Sequence, residues 1–402
     1  MEKVYIVSAK RTPIGAFGGS LKKKSAGELA AVAIKGALEA GAVPVNHVDE
    51  VIVGNVIGAG QGMGIGRQAA LLAGIPESAP AYGVNMVCGS GMKTVMDAVT
   101  HIRSGDAQVV VAAGVEVMSQ IPFIVPSNIR DGNRMGNMEL KDLLISDGLT
   151  DVYNQYHMGV TAENVAKEVG LSRQQQDEFA LSSQQKAVAA IEAGKFKDEI
   201  VSVEVKQRRE TVLFDTDEYP KANATLEGLS KLRPAFDREG TVTAGNASGI
   251  NDGASAMVVA SESAVQALGL TPIAEIVSYA QSGLDPKVMG LGPVESVNKA
   301  LNKAELTTAD IDIYELNEAF AAQALGVIHQ LAATNNVSVN SIQDKANPNG
   351  GAIALGHPLG ASGNRILVTL VHELQKQNGQ YGVASLCVGG GMGTAMIVRA
   401  VK

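Results

Sequence analysis

Two cysteines and one histidine lie in glycine-rich segments, where the backbone allows a ligand to come close. Cys88 follows the largely apolar run 84–87 (VNMV) and precedes a Gly-Ser-Gly turn and an amphipathic helical pattern. A thiol at the N-terminus of a helix lies at the positive end of the macrodipole, which favours the thiolate and lowers the thiol pKa. We therefore interpret Cys88 as a nucleophile, with a small buried core residue as an equally weighted alternative.

His357 stands between Gly356 and Pro358, directly before a second amphipathic helical pattern. Imidazole is the natural base for a cysteine, and the several glycines of residues 349–363 would allow this turn to pack closely against another loop. A histidine is more often structural than catalytic, but this glycine-rich setting favours the catalytic interpretation.

Cys387 ends the apolar run 383–386 and is followed by the glycine turn that contains Gly389. Two thiols and one histidine suggest carbon-acid chemistry. One cysteine would hold an acyl group, and the other would remove a proton alpha to a thioester beside an oxyanion hole. Asn317 would suit such a hole directly or through a water, and an ordinary helix cap is its alternative.

The composition describes a large globular protein. The chain has 402 residues, 46% of them hydrophobic and 18% charged, with a net charge of -8. This length predicts two or three domains, and the acidic balance argues against a nucleic-acid surface. The apolar runs fall short of the roughly 18 residues that span a bilayer. Two cysteines and no leader-like start favour the cytoplasm, where a structural disulfide is not expected.

The two halves of the sequence resemble each other. Residues 35–51 match residues 298–314 at an offset of about 263, and residues 6–8 match residues 276–278. β-branched runs alternate with helical patterns, which predicts an α/β fold with crossover helices on both faces of its sheets. We expect an N-terminal half at residues 1–118, completed by 248–270, a more polar inserted domain at 119–247, and a C-terminal half at 271–402.

The segments around Cys88, Asn317, His357 and Cys387 together closely resemble the thiolase family, in particular its short-chain acetyl-CoA acetyltransferases. Residues 11–15 (RTPIG) and 243–254 (TAGNASGINDGA) add to the resemblance, which covers essentially the whole chain. The family implies a five-layered α-β-α-β-α core of two pseudo-symmetric halves and a loop domain that receives coenzyme A. It also implies the reversible joining of two acetyl-CoA molecules into acetoacetyl-CoA and CoA.

The resemblance assigns a role to each of these residues. Cys88 would be acetylated, His357 would activate it, and Cys387 would exchange the proton at the alpha carbon. Asn317 would hold a water that forms one oxyanion hole with the histidine, and the backbone N–H groups of Cys88 and Gly389 would form the other.

The resemblance also implies a set of coenzyme A contacts, in which His157 and Met158 line the pantetheine and acyl end. The other implied contacts are Ala244, Ser248, Ala319, Phe320 and Lys221. Lys221 stands where some relatives have an arginine near the nucleotide, and Gly228 where some have a serine. These departures bear on coenzyme affinity more than on chemistry.

No metal or redox cofactor is implied, and neither a membrane nor a nucleic-acid partner is expected. We expect a homotetramer, a dimer of dimers, with residues 121–144 as an interface loop; a mobile surface loop is the alternative.

Four other functions remain as alternatives. A broader-chain 3-ketoacyl-CoA thiolase would keep every catalytic position. A ketoacyl synthase would place histidine or asparagine where this chain has Cys387. A non-catalytic CoA- or lipid-binding protein would lose at least one catalytic position, and a thiol peroxidase would not require the paired histidine.

Overall fold

The computed structural model describes residues 2–207 and 209–401 of the chain. The strands are β1 (Val4–Arg11), β2 (Gly15–Ala16), β3 (Glu50–Gly54), β4 (Ala81–Val84), β5 (Val109–Val117), β6 (Phe123–Ile124), β7 (Lys141–Asp142), β8 (Thr150–Asp151), β9 (Tyr156–His157), β10 (Val203–Gln207), β11 (Glu210–Phe214), β12 (Asn251–Ser261), β13 (Ala274–Gly283), β14 (Ile313–Leu316), β15 (Tyr381–Val388) and β16 (Met392–Ala400). The helices are α1 (Ala26–Ala40), α2 (Ile65–Leu72), α3 (Ser90–Ser104), α4 (Met158–Val169), α5 (Arg173–Glu192), α6 (Leu226–Ser230), α7 (Glu262–Leu268), α8 (Gly292–Ala304), α9 (Ala321–Thr334), α10 (Val339–Gln343), α11 (Ala352–Leu355) and α12 (Leu359–Gln377). In this part of the chain no helix is both long and apolar enough to cross a bilayer.

A ten-stranded sheet with the order β14-β15-β16-β13-β1-β12-β5-β3-β4 runs through the molecule, and β2 pairs with β12. β1 and β13 join its two halves through the antiparallel pairs Tyr5 with Glu275 and Ile6 with Ala274. Parallel pairs lie toward both ends, β3 with β4 and β5 at one end and β14 with β15 at the other. Each half therefore contains helices that cross over between its parallel strands.

The repeat in the sequence is confirmed as a structural repeat. Ser8 on β1 donates a hydrogen bond of 2.6 Å from its hydroxyl to the carbonyl of Ala37 on α1. Ser278 on β13 donates the equivalent bond of 2.7 Å to the carbonyl of Ala300 on α8. The pairing register shifts directly before the serine in both strands. The same strand-to-helix contact is thus built twice.

Three apolar clusters lie in succession across the fold. The first packs α1 and α2 against β3, β5 and β12; the second encloses α3 and α12; and the third packs α8 and α9 against β14 to β16. Helical and sheet layers therefore alternate through five layers, which confirms the predicted fold class.

The two central helices, α3 and α12, approach each other at backbone distance. A Cβ atom added to Gly91 on α3 would lie 2.7 Å from the carbonyl oxygen of Gly360 on α12. One added to Gly363 would lie 2.5 Å from the backbone nitrogen of Met92. This close packing holds the N-terminal ends of the two helices side by side. Cys88 lies just before the first of them and His357 just before the second.

The polar segment between β5 and β12 is fastened to the core by Arg11 at the end of β1. The Arg11 guanidinium is fully buried and bonds Glu199 at 2.6 Å and Asp217 at 2.7 and 2.9 Å. Removing one partner of such a buried network is costly, because it leaves an uncompensated charge. The segment contains the long helix α5 and the strand β10. The predicted domain boundaries stay predictions.

Candidate active site

Cys88 lies in a tight turn between β4, which ends at Val84, and α3, which begins at Ser90. Val87 in this turn has a φ of 46°, a left-handed conformation that is strained for a β-branched residue. The Ser90 side chain stabilises the turn by donating to the Val87 carbonyl at 2.6 Å. The turn presents the Cys88 side chain to a cavity.

The prediction of a lowered Cys88 pKa is wrong. Burial of the thiol raises its pKa to about 11, although a backbone N–H bond from Gly389 opposes the shift. Cys88 keeps partial exposure to the cavity, but protein atoms enclose its sulfur, and this desolvation outweighs the end of a helix that begins two residues later. The resting nucleophile is therefore a neutral thiol that needs a base.

His357 is buried and lines the same cavity. Its Nδ1 lies 2.5 Å from the Ser362 hydroxyl, which itself donates its hydrogen to the Pro358 carbonyl at 2.9 Å. The hydroxyl must therefore accept from Nδ1–H, and this arrangement leaves Nε2 unprotonated. Nε2 has no hydrogen-bond partner among residues 2–207 and 209–401.

Two effects keep His357 neutral. Burial, and to a lesser degree the positive charge of Arg365, lower its pKa to about 4.

A hydrogen bond also fixes the backbone of His357. The Asn251 side chain accepts from the His357 N–H at 3.1 Å and donates to the Gly15 carbonyl at 3.0 Å. His357 is thus a fixed, neutral imidazole with a free lone pair, which is the form that a general base requires.

Cys387 lies near the end of β15 and is fully buried, with its side chain in the cavity wall. Burial raises the pKa of its thiol, and the charge that Cys88 can carry raises it further. The turn after β15 brings Gly389 to the cavity, where its backbone N–H favours the Cys88 thiolate. Two thiols and a backbone donor therefore meet at one place.

Asn317 follows β14, and its backbone N–H bonds the Ser385 carbonyl at 2.9 Å. It is not a helix cap, because α9 begins at Ala321 after Phe320. Its side chain is buried, and neither amide atom has a partner within the described part of the chain. A buried amide with both atoms unpaired costs free energy, so this group requires an explanation beyond packing.

The cavity has a volume of about 320 Å³ and is predominantly apolar, apart from a few converging polar groups. The predicted site residues in its wall are Cys88, His157, Met158, Ala244, Ser248, Ala319, Phe320, His357, Cys387 and Gly389. Asn317 and Lys221 are not in the wall. A larger groove of about 620 Å³ beside residues 22–24 contains neither cysteine nor His357. Chemistry rather than size therefore selects the site.

Part of the cavity wall is built on an aromatic stack. The His157 and Phe236 rings lie 4.5 Å apart and nearly parallel, and Phe320 meets Phe236 edge-on at 6.1 Å. His157 Nδ1 accepts from the Gly159 N–H at 3.0 Å, so its neutral ring carries the proton on Nε2. Burial lowers the pKa of His157, which favours this neutral donor.

Lys221 is exposed. Its backbone N–H donates to the Gln184 side chain at 2.8 Å, and its own side chain extends over Tyr219. The ammonium lies 5.5 Å from the Tyr219 ring centre, and Tyr219 itself lines the cavity. Lys221 thus contacts a residue of the wall without lining the cavity itself, and its ammonium group remains solvated.

Sequence reasoning missed several wall residues. These are Met118, Leu149, Tyr219, Phe236, Ile250, Met289 and Leu359. They come from separate loops and helix ends, and no periodic pattern marks them. The positioning residues Ser362 and Asn251 lie within the segments 349–363 and 243–254. The polar side chain five residues after His357 was the available signal for Ser362, and sequence spacing offered none for Asn251. Among the described residues, no three His, Cys, Asp or Glu side chains cluster as metal ligands would.

The chain matches two family models, the thiolase N-terminal domain over residues 4–263 and the thiolase C-terminal domain over residues 270–400. An acetyl-CoA acetyltransferase of Cupriavidus necator is 56% identical over 400 residues, which are 99% of this chain and 100% of that protein. An acetyl-CoA acetyltransferase structure from Syntrophomonas wolfei superposes with a TM-score of 0.97 at 39% identity and 100% coverage of both chains. Human mitochondrial 3-ketoacyl-CoA thiolase in complex with CoA superposes with a TM-score of 0.93 at 45% identity, covering 100% of this chain and 98% of that one.

Proposed function

This chain belongs to the thiolase family, and from that premise we propose that it is an acetyl-CoA acetyltransferase. It joins two acetyl-CoA molecules into acetoacetyl-CoA and CoA, and it runs the reverse thiolysis. The observation that carries this proposal is the meeting of Cys88, His357 and Cys387 in one cavity. Two thiols and one imidazole are the groups that an acyl transfer followed by proton abstraction needs.

The first half-reaction acetylates Cys88. His357 Nε2 takes the thiol proton as the sulfur attacks the carbonyl carbon of acetyl-CoA, and the C–S bond to CoA then breaks. The same imidazole returns the proton to the leaving CoA thiolate. The Gly389 N–H, which lies in the cavity and favours the Cys88 thiolate, stabilises the oxyanion formed beside that sulfur.

The second half-reaction forms the carbon–carbon bond. His357 Nε2 first takes the proton of the Cys387 thiol, and the Cys387 thiolate then removes a proton from the alpha carbon of a second acetyl-CoA. The resulting carbanion attacks the acetyl group on Cys88, the C–S bond to Cys88 breaks as acetoacetyl-CoA forms, and the His357 imidazolium returns its proton to the Cys88 thiolate. His357, together with a water held by Asn317, stabilises the enolate oxygen; the unpaired buried amide of Asn317 supports this role.

The cavity wall supports coenzyme A thioesters as substrates, because its polar end holds the reacting groups and its aromatic stack offers an apolar flank to pantetheine. Lys221, beside the wall, supplies a positive charge for the nucleotide phosphates. The proposed reaction is a transfer between thioesters, so neither a metal nor a redox cofactor takes part in it.

The chain-length profile of thiolysis tests the proposed function. We expect purified protein to cleave acetoacetyl-CoA at least about tenfold more efficiently, in kcat/KM, than 3-ketoacyl-CoAs with six or more carbons. Activity that rises with chain length would contradict this specificity and identify a broader-chain 3-ketoacyl-CoA thiolase, as the human relative is. No cleavage of any chain length would contradict the family activity itself.

Ser362 tests how His357 is held. Ser362→Ala removes the acceptor of Nδ1–H and so frees both the ring orientation and the tautomer. We expect kcat for thiolysis to fall about 10- to 100-fold with little change in KM. Ser362→Thr keeps a hydroxyl and is the matched variant, expected to retain more of the activity. Equal activity of both variants with wild type would show that the hydroxyl does not control the base.

We also propose a homotetramer. β4 is the last strand of the ten-stranded sheet, and α2, which packs on it, exposes Leu71 and Leu72. The loop at residues 121–144 forms a second apolar surface, on which Phe123 is 61% and Leu140 65% exposed. Two separate patches of this kind are what a dimer of dimers requires.

Light scattering tests this assembly. We expect four times the chain mass for wild type and a smaller, still oligomeric mass for the double variant Phe123→Asp/Leu140→Asp, whose β4 edge is unchanged. A monomer mass for wild type at assay concentrations would refute the tetramer, and residues 121–144 would then be a mobile surface loop.

We propose the cytoplasm as the compartment of this protein. Both cysteines are free thiols, as a reducing environment maintains them. Cell fractionation with an antibody to the native protein checks this assignment.

A further inference from the structure

Glu116 is a fully buried carboxylate on β5 to which the mechanism above gives no role. Its Oε1 accepts hydrogen bonds from the Asn55 side chain at 3.0 Å and the Ile57 N–H at 3.1 Å. Its Oε2 accepts from the Val56 N–H and the Gly360 N–H, both at 2.9 Å. Burial raises the pKa of Glu116 to about 7, and these four donors oppose that shift. Each oxygen therefore holds two donors, and together they bind two separate loops.

One arm of this arrangement reaches the base. Gly360 lies in the first turn of α12, three residues after His357, and its N–H is one of those that a helix leaves unpaired at its start. The Glu116 carboxylate satisfies this N–H and lies at the positive end of the α12 dipole. It thus fixes the helix end that carries both His357 and Ser362.

The other arm reaches the nucleophile. The Asn85 side chain donates to the Val56 carbonyl at 3.0 Å and accepts from the Val87 N–H at 2.9 Å. Val87 is the strained residue directly before Cys88. A chain of hydrogen bonds therefore runs from Glu116 through residue 56 and Asn85 to the Cys88 turn. Glu116 also acts through its charge, which raises the pKa of Cys88.

We propose that Glu116 is a positioning residue, which holds the Cys88 turn and the His357 turn in register across the two halves of the fold. This inference rests on the proposed acyl transfer from acetyl-CoA. Glu116 is not part of the cavity wall and touches no reacting atom, so it acts through the two loops it binds. A shift of about 1 Å between a nucleophile and its base is enough to cost about 100-fold in rate.

Glu116→Gln is the test. Because each carboxylate oxygen accepts two bonds, the amide NH₂ must face two donors in either orientation, and one pair of bonds is lost. We expect single-turnover acetylation of Cys88 by acetyl-CoA to slow about 100-fold, with KM for acetyl-CoA within about threefold of wild type. A residue that served stability alone would lower the amount of folded enzyme and leave the rate per folded molecule unchanged.

Alkylation by iodoacetamide separates positioning from reactivity. Alkylation can proceed through the small fraction of Cys88 that ionises without the help of His357, so it does not depend on the register between the two residues. Loss of the Glu116 charge favours this thiolate. We therefore expect alkylation of Cys88 not to slow in Glu116→Gln while acetylation slows. Cys387, which is fully buried, stays unreactive as long as the variant is folded.

Glu199→Gln is the matched control. Glu199 is an equally buried carboxylate, but one oxygen accepts both of its side-chain bonds, from Arg11 at 2.6 Å and Thr369 at 3.1 Å. A glutamine can keep both bonds with its remaining oxygen. We expect this variant to lose stability through the lost charge, with acetylation per folded molecule within about threefold of wild type.

The outcomes are distinct. Acetylation of Glu116→Gln within about threefold of wild type would overturn the proposal. If Glu116→Gln does not fold, Asn55→Ala removes one of the four donors from a half-buried position and is expected to slow acetylation about fivefold; an unchanged rate there overturns the proposal. Wild-type protein that acetyl-CoA does not acetylate contradicts the proposed function instead. The Glu116 proposal is then judged on the same rate ratios with the acyl-CoA that wild type accepts.

Discussion

Replacing Cys387 by serine is expected to leave acetylation of Cys88 close to wild type, while condensation of acetyl-CoA falls about a thousandfold. The Cys88 turn and the His357 base are untouched by this change, so the first half-reaction keeps its machinery. A serine hydroxyl is a far weaker proton acceptor than a thiolate, so the alpha proton of the second acetyl-CoA is not removed. Single-turnover acetylation, followed by peptide mass analysis, is measured beside steady-state condensation.

Cys88→Ser is the matched variant for this measurement, and we expect it to lose the acetyl label altogether. If Cys387→Ser abolished acetylation as thoroughly as Cys88→Ser, with circular dichroism showing an intact fold, the division of labour between the thiols would be wrong. An acetyl group found on Cys387 in wild type would reverse the two roles.

Replacing His357 by asparagine is expected to impair both half-reactions and to lower turnover by about four orders of magnitude. The change removes the base that the neutral Cys88 thiol needs and one oxyanion donor, each worth about two orders of magnitude. The assay compares acetylation rates of His357→Asn and wild type, with His101→Asn as control, because His101 is paired with Glu50 at 2.6 Å in a half-exposed position outside the cavity wall. Normal acetylation by His357→Asn would assign the base to another group.

The acidic side of the pH profile gives a second measure of His357. Its pKa is lowered to about 4, so the base is present above that pH and is lost by protonation as the pH falls through it. We expect acetylation of Cys88 to persist at pH 6 and to decline only below about pH 5. A decline centred near the ordinary histidine pKa of about 6.5 would show that the site is more hydrated than its burial indicates.

The architecture could be predicted because the contacts that define it require particular residue types, and some of these contacts occur in both halves of the chain. The serine-to-helix contacts of Ser8 and Ser278 need the same residue types in the same order, so the repeat is visible in the sequence, although the serine and its acceptor lie 29 residues apart in one half and 22 in the other. The segments around Cys88 and His357 were recognisable because close packing of α3 and α12 requires glycine at the points of contact. Packing contacts that require one particular residue type can therefore be recognised in a sequence.

The electrostatics of the site could not be predicted in the same way. The position of Cys88 before a helix suggests a lowered pKa, whereas its enclosure, produced by residues distant in sequence, raises it. The sequence allows Asn317 to be the N-cap of the helix that follows it, and only the fold shows that α9 begins four residues later, at Ala321. Phe236 and Tyr219 belong to irregular segments, so no period marked them as cavity wall. Burial created by tertiary contacts is what the sequence does not display.

The place of β1 in the middle of the sheet governs how the chain can be made. β1 begins at Val4, yet its partners are β12, which begins at Asn251, and β13, which begins at Ala274. At a synthesis rate of about 5–20 residues per second, the ribosome needs roughly 12 to 50 s after β1 emerges before the first partner strand exists. Until then the apolar β1 segment has no strand to pair with and is a template for aggregation. The N-terminal half of the sheet therefore cannot close until β12 has been made, and we expect nascent chains that stop before β12 to depend on chaperones.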